Sequence, residues 1–219
     1  MTGMLDTVRE LAALGGPVVL VLMLASVITL ATALYKLWQF SVAGVGRHHA
    51  LSRAVTAWDA GNRAEAHGEL AQSKSYLAPV VRMAFSATPN DSKRLRAEAE
   101  TRFARLESGF RLLDSVAQLA PLLGLFGTVL GMIEAFQALQ SAGSQVDPSL
   151  LAGGIWVALM TTAVGLAVAM PTSLVLSWFE GRMDAERVMA ERAISTILSP
   201  SGRPSAAPVA DPVGTLSRA

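Results

Sequence analysis

From residue 150 to residue 179 the chain runs thirty residues without a charged side chain, LLAGGIWVALMTTAVGLAVAMPTSLVLSWF. An uncharged stretch of about 18 residues or more is long enough for a membrane helix. At about 1.5 Å per residue this one exceeds a hydrocarbon core of about 30 Å, so it must tilt or project beyond it. Two other runs share its character. Residues 17–34, PVVLVLMLASVITLATAL, carry no charge and are followed by Tyr35, Lys36, Trp38 and Phe40. Aromatic and Lys residues at the end of an apolar run fit a membrane interface. The run is also longer than the apolar core of a signal peptide. Residues 116–139, VAQLAPLLGLFGTVLGMIEAFQAL, are interrupted only by Gln118, Thr128, Glu134 and Gln137. Charged residues make up only 16% of the chain and mean hydropathy is +0.42, which excludes a disordered polyelectrolyte. A formal net charge of +1 gives no global field for nucleic acid, and the absence of cysteine excludes disulfides and thiolate metal sites.

The expected fold is therefore an all-α membrane protein. Three transmembrane helices occupy 17–40, 116–139 and 150–179, with long helices extending into a cytoplasmic helical domain. Lys and Arg orient them. Arg9 alone precedes the first run, twelve lie between Lys36 and Arg111, none lies in the 139–150 connection, and five follow the third run. The positive-inside rule places residues 1–16 and the loop 140–149 outside, with 41–115 and the 180–198 helix extension inside. The lipid bilayer is thus the first partner implied. Residues 199–219, rich in Pro, Ser and Ala, read as a disordered tail.

Inside the polar segment, Asp59-Ala60-Gly61-Asn62 marks the turn of a helical hairpin. A further helix is expected over 78–87, ended by Thr88-Pro89, with Asn90 or Asp91 capping the next. In that next helix Ala99, Phe103, Leu106, Phe110, Leu113, Ala117 and Ala120 recur at spacings of four and three. This seam predicts one continuous helix from about Ser92 to Leu139 and a partner helix to cover it. Pairs such as Arg94–Glu98 and Glu98–Arg102 read as a solvated face. His48, His49 and His67 are too few for a metal site and read as solvated or headgroup-facing.

Within the membrane, Gly124, Gly127 and Gly131 form a face on which helices can approach closely, and Glu134 extends it. Ala158, Thr162, Gly165, Ala169 and Ser173 form a similar stripe on the third run. Either tight packing or an ion path accounts for both. Glu134 is the only ionisable residue in these two runs, with a structural, mouth-lining or proton-binding role open to it. Thr128 and Thr162 can offer hydroxyls to water or a partner, or bond their own backbone. Pro121 and Pro171 are candidate kinks. No catalytic motif, metal site or cofactor loop is present in the sequence, so no enzyme is expected.

Residues 120–139, APLLGLFGTVLGMIEAFQAL, resemble the second-helix signature of the ExbB/TolQ/MotA proton-channel family. Residues 147–171, DPSLLAGGIWVALMTTAVGLAVAMP, resemble its third helix, and the likeness extends over about residues 10–195. Three crossings and a large cytoplasmic segment are similar to the ExbB/TolQ branch rather than to four-span stator proteins. The resemblance implies a homopentamer in the bacterial inner membrane. It also implies an ExbD/TolR-like single-span partner with a proton-carrying aspartate, and a TonB-like or TolA-like protein driven by the proton motive force. It maps two cavity-lining threonines onto Thr128 and Thr162. It also exposes a departure: the family pattern EALxTTAxGL carries an acidic residue where this chain has Val157. The resemblance leaves a TolQ-like subunit open beside an ExbB-like channel, and the substitution keeps open a weakly conducting or non-conducting scaffold.

Overall fold

The computed structural model describes the backbone of residues 2–141 and 148–201. Residues 142–147 of the expected outer loop and 202–219 of the expected tail lie outside the described residues. Among the described residues the chain is helical with no strand. Its helices are α1 (Thr2–Ala43), α2 (His49–Asp59), α3 (Arg63–Gln72), α4 (Ala78–Phe85), α5 (Ser92–Glu107), α6 (Phe110–Ser141) and α7 (Pro148–Leu198). Three of these, α1 from Gly16, α6 and α7, are long and apolar enough to cross a membrane. The chain is an all-α membrane protein.

Local chemistry explains the breaks. In α1, Gly16 leaves helical geometry at φ 64°, immediately before Pro17. Pro17 lacks the N–H that a first helical turn would leave unpaired, so the apolar helix begins there. Asn62 caps α3 by accepting from the Glu65 N–H, which closes the expected hairpin turn. A single 3₁₀ turn, Pro89–Asp91, leads into α5 and carries its own cap. Thr88 takes that position, and Asp91 reaches back to accept from the Thr88 N–H at 2.9 Å and its hydroxyl at 2.8 Å. Both bonds hold the Asp91 carboxylate against the residue that caps the turn.

The expected continuous helix from Ser92 to Leu139 is interrupted. Ser108 and Gly109 separate α5 from α6, with Gly109 at φ 93°. Sequence periodicity missed this because the apolar seam continues across the break. Ala99, Phe103, Leu106, Phe110, Leu113 and Ala120 are all buried, and Ala117 is half-buried. Pro121 and Pro171 lie inside α6 and α7, which stay helical through both.

The fold gathers into two compact units. The first holds the chain to Ser41 together with Ala104–Ala185. Its core includes Val18, Leu22, Ala120 and Ala169, with Val116, Leu123, Leu130, Val164 and Val168 packed on them. Phe40, Phe110 and Phe179 form a second cluster, with Phe179 fully buried and its ring centroid 5.2 Å from Phe40 and 5.6 Å from Phe110. Beside it, the buried Lys36 ammonium donates to Gln39 Oε1 (2.7 Å), the Leu106 carbonyl (3.0 Å) and Ser108 Oγ (3.2 Å). A cation here satisfies carbonyl groups at the end of α5 and complements its dipole. Many large apolar side chains of this unit point outward, among them Leu24, Leu30, Leu159 and Leu174. In a soluble protein such a surface would aggregate; in a bilayer it is the ordinary exterior.

The second unit holds Val42–Phe103 and the chain from Glu186 onward. Trp58 anchors it, stacked on Phe85 at 4.1 Å and donating its indole N–H to the Ile197 carbonyl at 3.2 Å. Leu51, Ala66, Leu70, Leu95 and Ile194 are buried in the same unit.

Candidate functional site

In the first unit, α6 and α7 meet along small residues. A Cβ added at Gly127 would lie 2.7 Å from Thr161 Oγ1, and one at Gly131 would lie 3.3 Å from the Ala158 Cβ. A Cβ at Gly124 would lie 3.0 Å from the Thr161 carbonyl, and one at Gly165 would lie 2.6 Å from the Ala120 carbonyl. Gly154 approaches Ala135 in the same way. Backbones this close let dispersion forces and interhelical hydrogen bonds act where lipid supplies no hydrophobic drive.

Gly124, Gly127, Gly131, Ala158 and Gly165 are thus brought together, while Ala169 packs with Val18, Leu22 and Ala120. The row on α6 continues to the buried Ala135 rather than to Glu134, which is exposed. On α7 the buried row passes through Thr161 and Thr172, leaving Thr162 half-buried and Ser173 exposed.

The hydroxyls follow from this packing. Thr161 Oγ1 donates to the Ala158 carbonyl at 2.7 Å and lies 3.3 Å from the Gly124 carbonyl. Thr162 Oγ1 reaches the same Gly124 carbonyl across the helix pair at 3.3 Å. Thr128, half-buried, donates to the Leu125 carbonyl of its own helix at 2.6 Å. Thr162 therefore sits at the α6–α7 seam, whereas the hydrogen bond of Thr128 is local. Val157 is half-buried one residue before Ala158 and adds only aliphatic surface. A cavity of about 160 Å³ lies in this unit, lined by Ser26, Thr29, Leu113, Ala167, Pro171 and Thr172. Pro171 has no N–H to give the carbonyl four residues earlier. Among the described residues no cluster of three or more His, Cys, Asp or Glu is placed to hold a metal ion.

A second polar constellation, in the second unit, was missed from the sequence. His48 is not solvated as expected. Its Nε2 donates to Glu186 Oε2 at 2.6 Å, and its Nδ1 faces Ser75 Oγ at 3.1 Å. Tyr76 donates its hydroxyl to Glu186 Oε2 at 2.7 Å, and the Gly46 N–H donates to Oε1 at 2.8 Å. His49 is exposed, as expected, and His67 stacks edge-on against Phe85 at 5.1 Å. The uncharged part of α7 ends at Phe179, so Glu186 lies beyond the stretch needed to cross a membrane. Burial pushes the Glu186 carboxyl pKa upward. The hydrogen bonds from His48 and Tyr76, the His48 charge and the Gly46 N–H outweigh that and hold it below the ordinary glutamate value. A signal was available in the sequence. Leu176, Phe179, Met183, Glu186, Ala190, Ala193 and Ile197 recur at spacings of three and four, so Glu186 is the one charge on a buried row.

Residues 70–192, more than half of the chain and including the whole α6–α7 seam, match the MotA/TolQ/ExbB proton channel family. The chain belongs to that family. Similar proteins include the putative biopolymer transport protein ExbB-like 1 of a Synechocystis species, 34% identical over 168 residues, covering 74% of this chain and 66% of that protein. The biopolymer transport protein exbB1 of Vibrio cholerae is 46% identical over 67 residues, 31% of this chain and 29% of its own length. The Tol-Pal system protein TolQ of Haemophilus influenzae is 40% identical over 80 residues, 36% of this chain and 35% of its own. The chain therefore spans less than two thirds of the length of each of these relatives.

Proposed function

We propose that this protein is a subunit of an ExbB/ExbD-type complex in the bacterial inner membrane. In this reading it forms a pentamer around an ExbD/TolR-like single-span partner and lets protons reach and leave an aspartate on that partner. The N-terminus lies outside and the polar segment inside, as the Lys and Arg distribution suggests. The recipient of the energy is a TonB-like protein that drives transport across the outer membrane. One charge moved across 100 mV supplies about 2.3 kcal/mol, enough to bias a packed helix between two positions.

The observation that carries this reading is the α6–α7 seam. It leaves Thr162 half-buried at the Gly124 carbonyl, inside the stretch matched to a proton channel family. Neither Thr128 nor Thr162 titrates, and Glu134 is the only ionisable residue in residues 116–139 and 150–179. In this reading the titrating group in the middle of the path comes from the partner, and the hydroxyls serve to orient water or the partner carboxyl. Thr162→Val should lower proton-driven transport severalfold in a complex that still assembles. Unchanged transport in that assembled variant would remove Thr162 from the path.

Val157 favours a second reading, a scaffold that places a partner without conducting. Val157→Glu separates the two. If the native protein already energises transport and the variant adds nothing, the scaffold reading fails. The likeness to TolQ makes a TolA-like recipient the alternative to a TonB-like one. Co-purification of the subunit with one and not the other decides between them.

A further inference from the structure

Glu186 is 3% exposed on a row of α7 that otherwise presents Met183, Ala190, Ala193 and Ile197. A buried carboxylate is costly unless it is paired and fully hydrogen-bonded. The Gly46 N–H, the Tyr76 hydroxyl and the His48 imidazole donate to it, and of these the imidazole can carry a positive charge. On the far side of the ring, Ser75 Oγ suits both of its protonation states. The hydroxyl accepts from Nδ1–H of an imidazolium and donates to the lone pair of a neutral ring. Geometry is therefore shared between the two states, but charge is not. With the proton, His48 and Glu186 form a neutral pair; without it, the buried carboxylate loses the charge of the imidazolium.

We propose that His48 and Glu186 form a proton-binding latch in the second unit, closed when His48 carries the proton and loosened when it does not. The latch ties two pieces of irregular chain to α7: the turn after α1, through Gly46 and His48, and the loop before α4, through Ser75 and Tyr76. Its lower limit is set by Glu186, which must stay ionised. Its upper limit falls where the imidazole gives up its proton. Other charges lie near the pair. On α5, Arg102 binds Glu98 and the Tyr76 carbonyl, and Glu100 pairs with Arg187 of α7. Arg47 and His49 beside His48, Lys74 beside Ser75, and Asp184 on α7 are exposed. None of these replaces the imidazolium as a buried countercharge. Acidification below that upper limit closes the latch.

Hydrogen exchange on the purified full chain in detergent micelles tests the latch without a partner or proton flux. The amide read is Gly46, in a peptide covering residues 42–48, with exchange corrected for the intrinsic effect of pH. The expected result is severalfold greater protection at about pH 6 than at about pH 8. That difference disappears in His48→Gln, which keeps a donor but cannot be charged, and in Glu186→Gln. Protection of the α2–α3 hairpin serves as the folding control, and if Glu186→Gln fails it, His48→Gln decides. Equal protection at both pH values in the native protein overturns the proposal. So does an unchanged pH difference in folded His48→Gln.

Discussion

Replacing Gly165 by alanine probes the α6–α7 seam at its least forgiving point. The added Cβ would lie 2.6 Å from the Ala120 carbonyl oxygen and 3.1 Å from the Gly124 Cα. Both neighbours are backbone of α6, so no side chain can rotate away. To restore an ordinary contact of about 3.4 Å, the helices must part by roughly 0.8 Å at this level. Overpacking of this kind costs about 1–3 kcal/mol. It also lengthens the reach of Thr162 Oγ1 to the Gly124 carbonyl, already 3.3 Å. For a chain of this size the cost corresponds to a fall of ~2–12 °C in Tm. The assay is thermal unfolding of the detergent-solubilised protein followed by circular dichroism. Gly181→Ala and Gly68→Ala are matched controls, because nothing lies within 4 Å of a Cβ at either position. Alanine there should be neutral or stabilise by about 0.5–1 kcal/mol through backbone entropy. If Gly165→Ala unfolds at the native temperature, or no lower than the two controls, the close-packed seam is refuted.

Phe179→Ala removes a fully buried ring from between Phe40 and Phe110 and should cost about 3–5 kcal/mol in the same unfolding assay. Lys36→Met keeps the aliphatic stem but leaves the Leu106 carbonyl without its donor; a loss of about 1–3 kcal/mol is expected, with peptides around Ser108 exchanging faster. Glu186 contributes stability above the ordinary glutamate range and loses it as pH falls through its lowered value. Native protein and Glu186→Gln should therefore differ in Tm at about pH 6 and converge toward about pH 3, below the ordinary glutamate pKa of about 4.3.

Much of the architecture was legible because membranes demand it. Uncharged runs of this length have few alternatives to crossing a bilayer, and the short hairpin at Asp59–Asn62 carried its own turn residues. Glycine spacing on α6 pointed to a packing face, since a helix repeats every 3.6 residues. The finer choices were not legible from spacing. Thr161 and Thr162 are adjacent, and which one turns into the seam depends on the rotation of α7, set by contacts with α6. Glu134 was placed on the packing face because three residues and four residues both return to it; Ala135 took the place. The break at Gly109 was hidden because Leu106 and Phe110 keep the apolar row across it. His48 and Glu186 are separated by well over a hundred residues of chain, and a pair so distant leaves no local pattern. Only the charge on an apolar row marks it.

Proton flux tests the central claim most directly. The protein would be reconstituted with the proposed ExbD/TolR-like single-span protein in sealed liposomes and a membrane potential imposed. The account predicts flux that is lost when the partner aspartate is changed to asparagine, with the complex still assembled. No flux from a correctly assembled native complex, or flux indifferent to that aspartate, would contradict it.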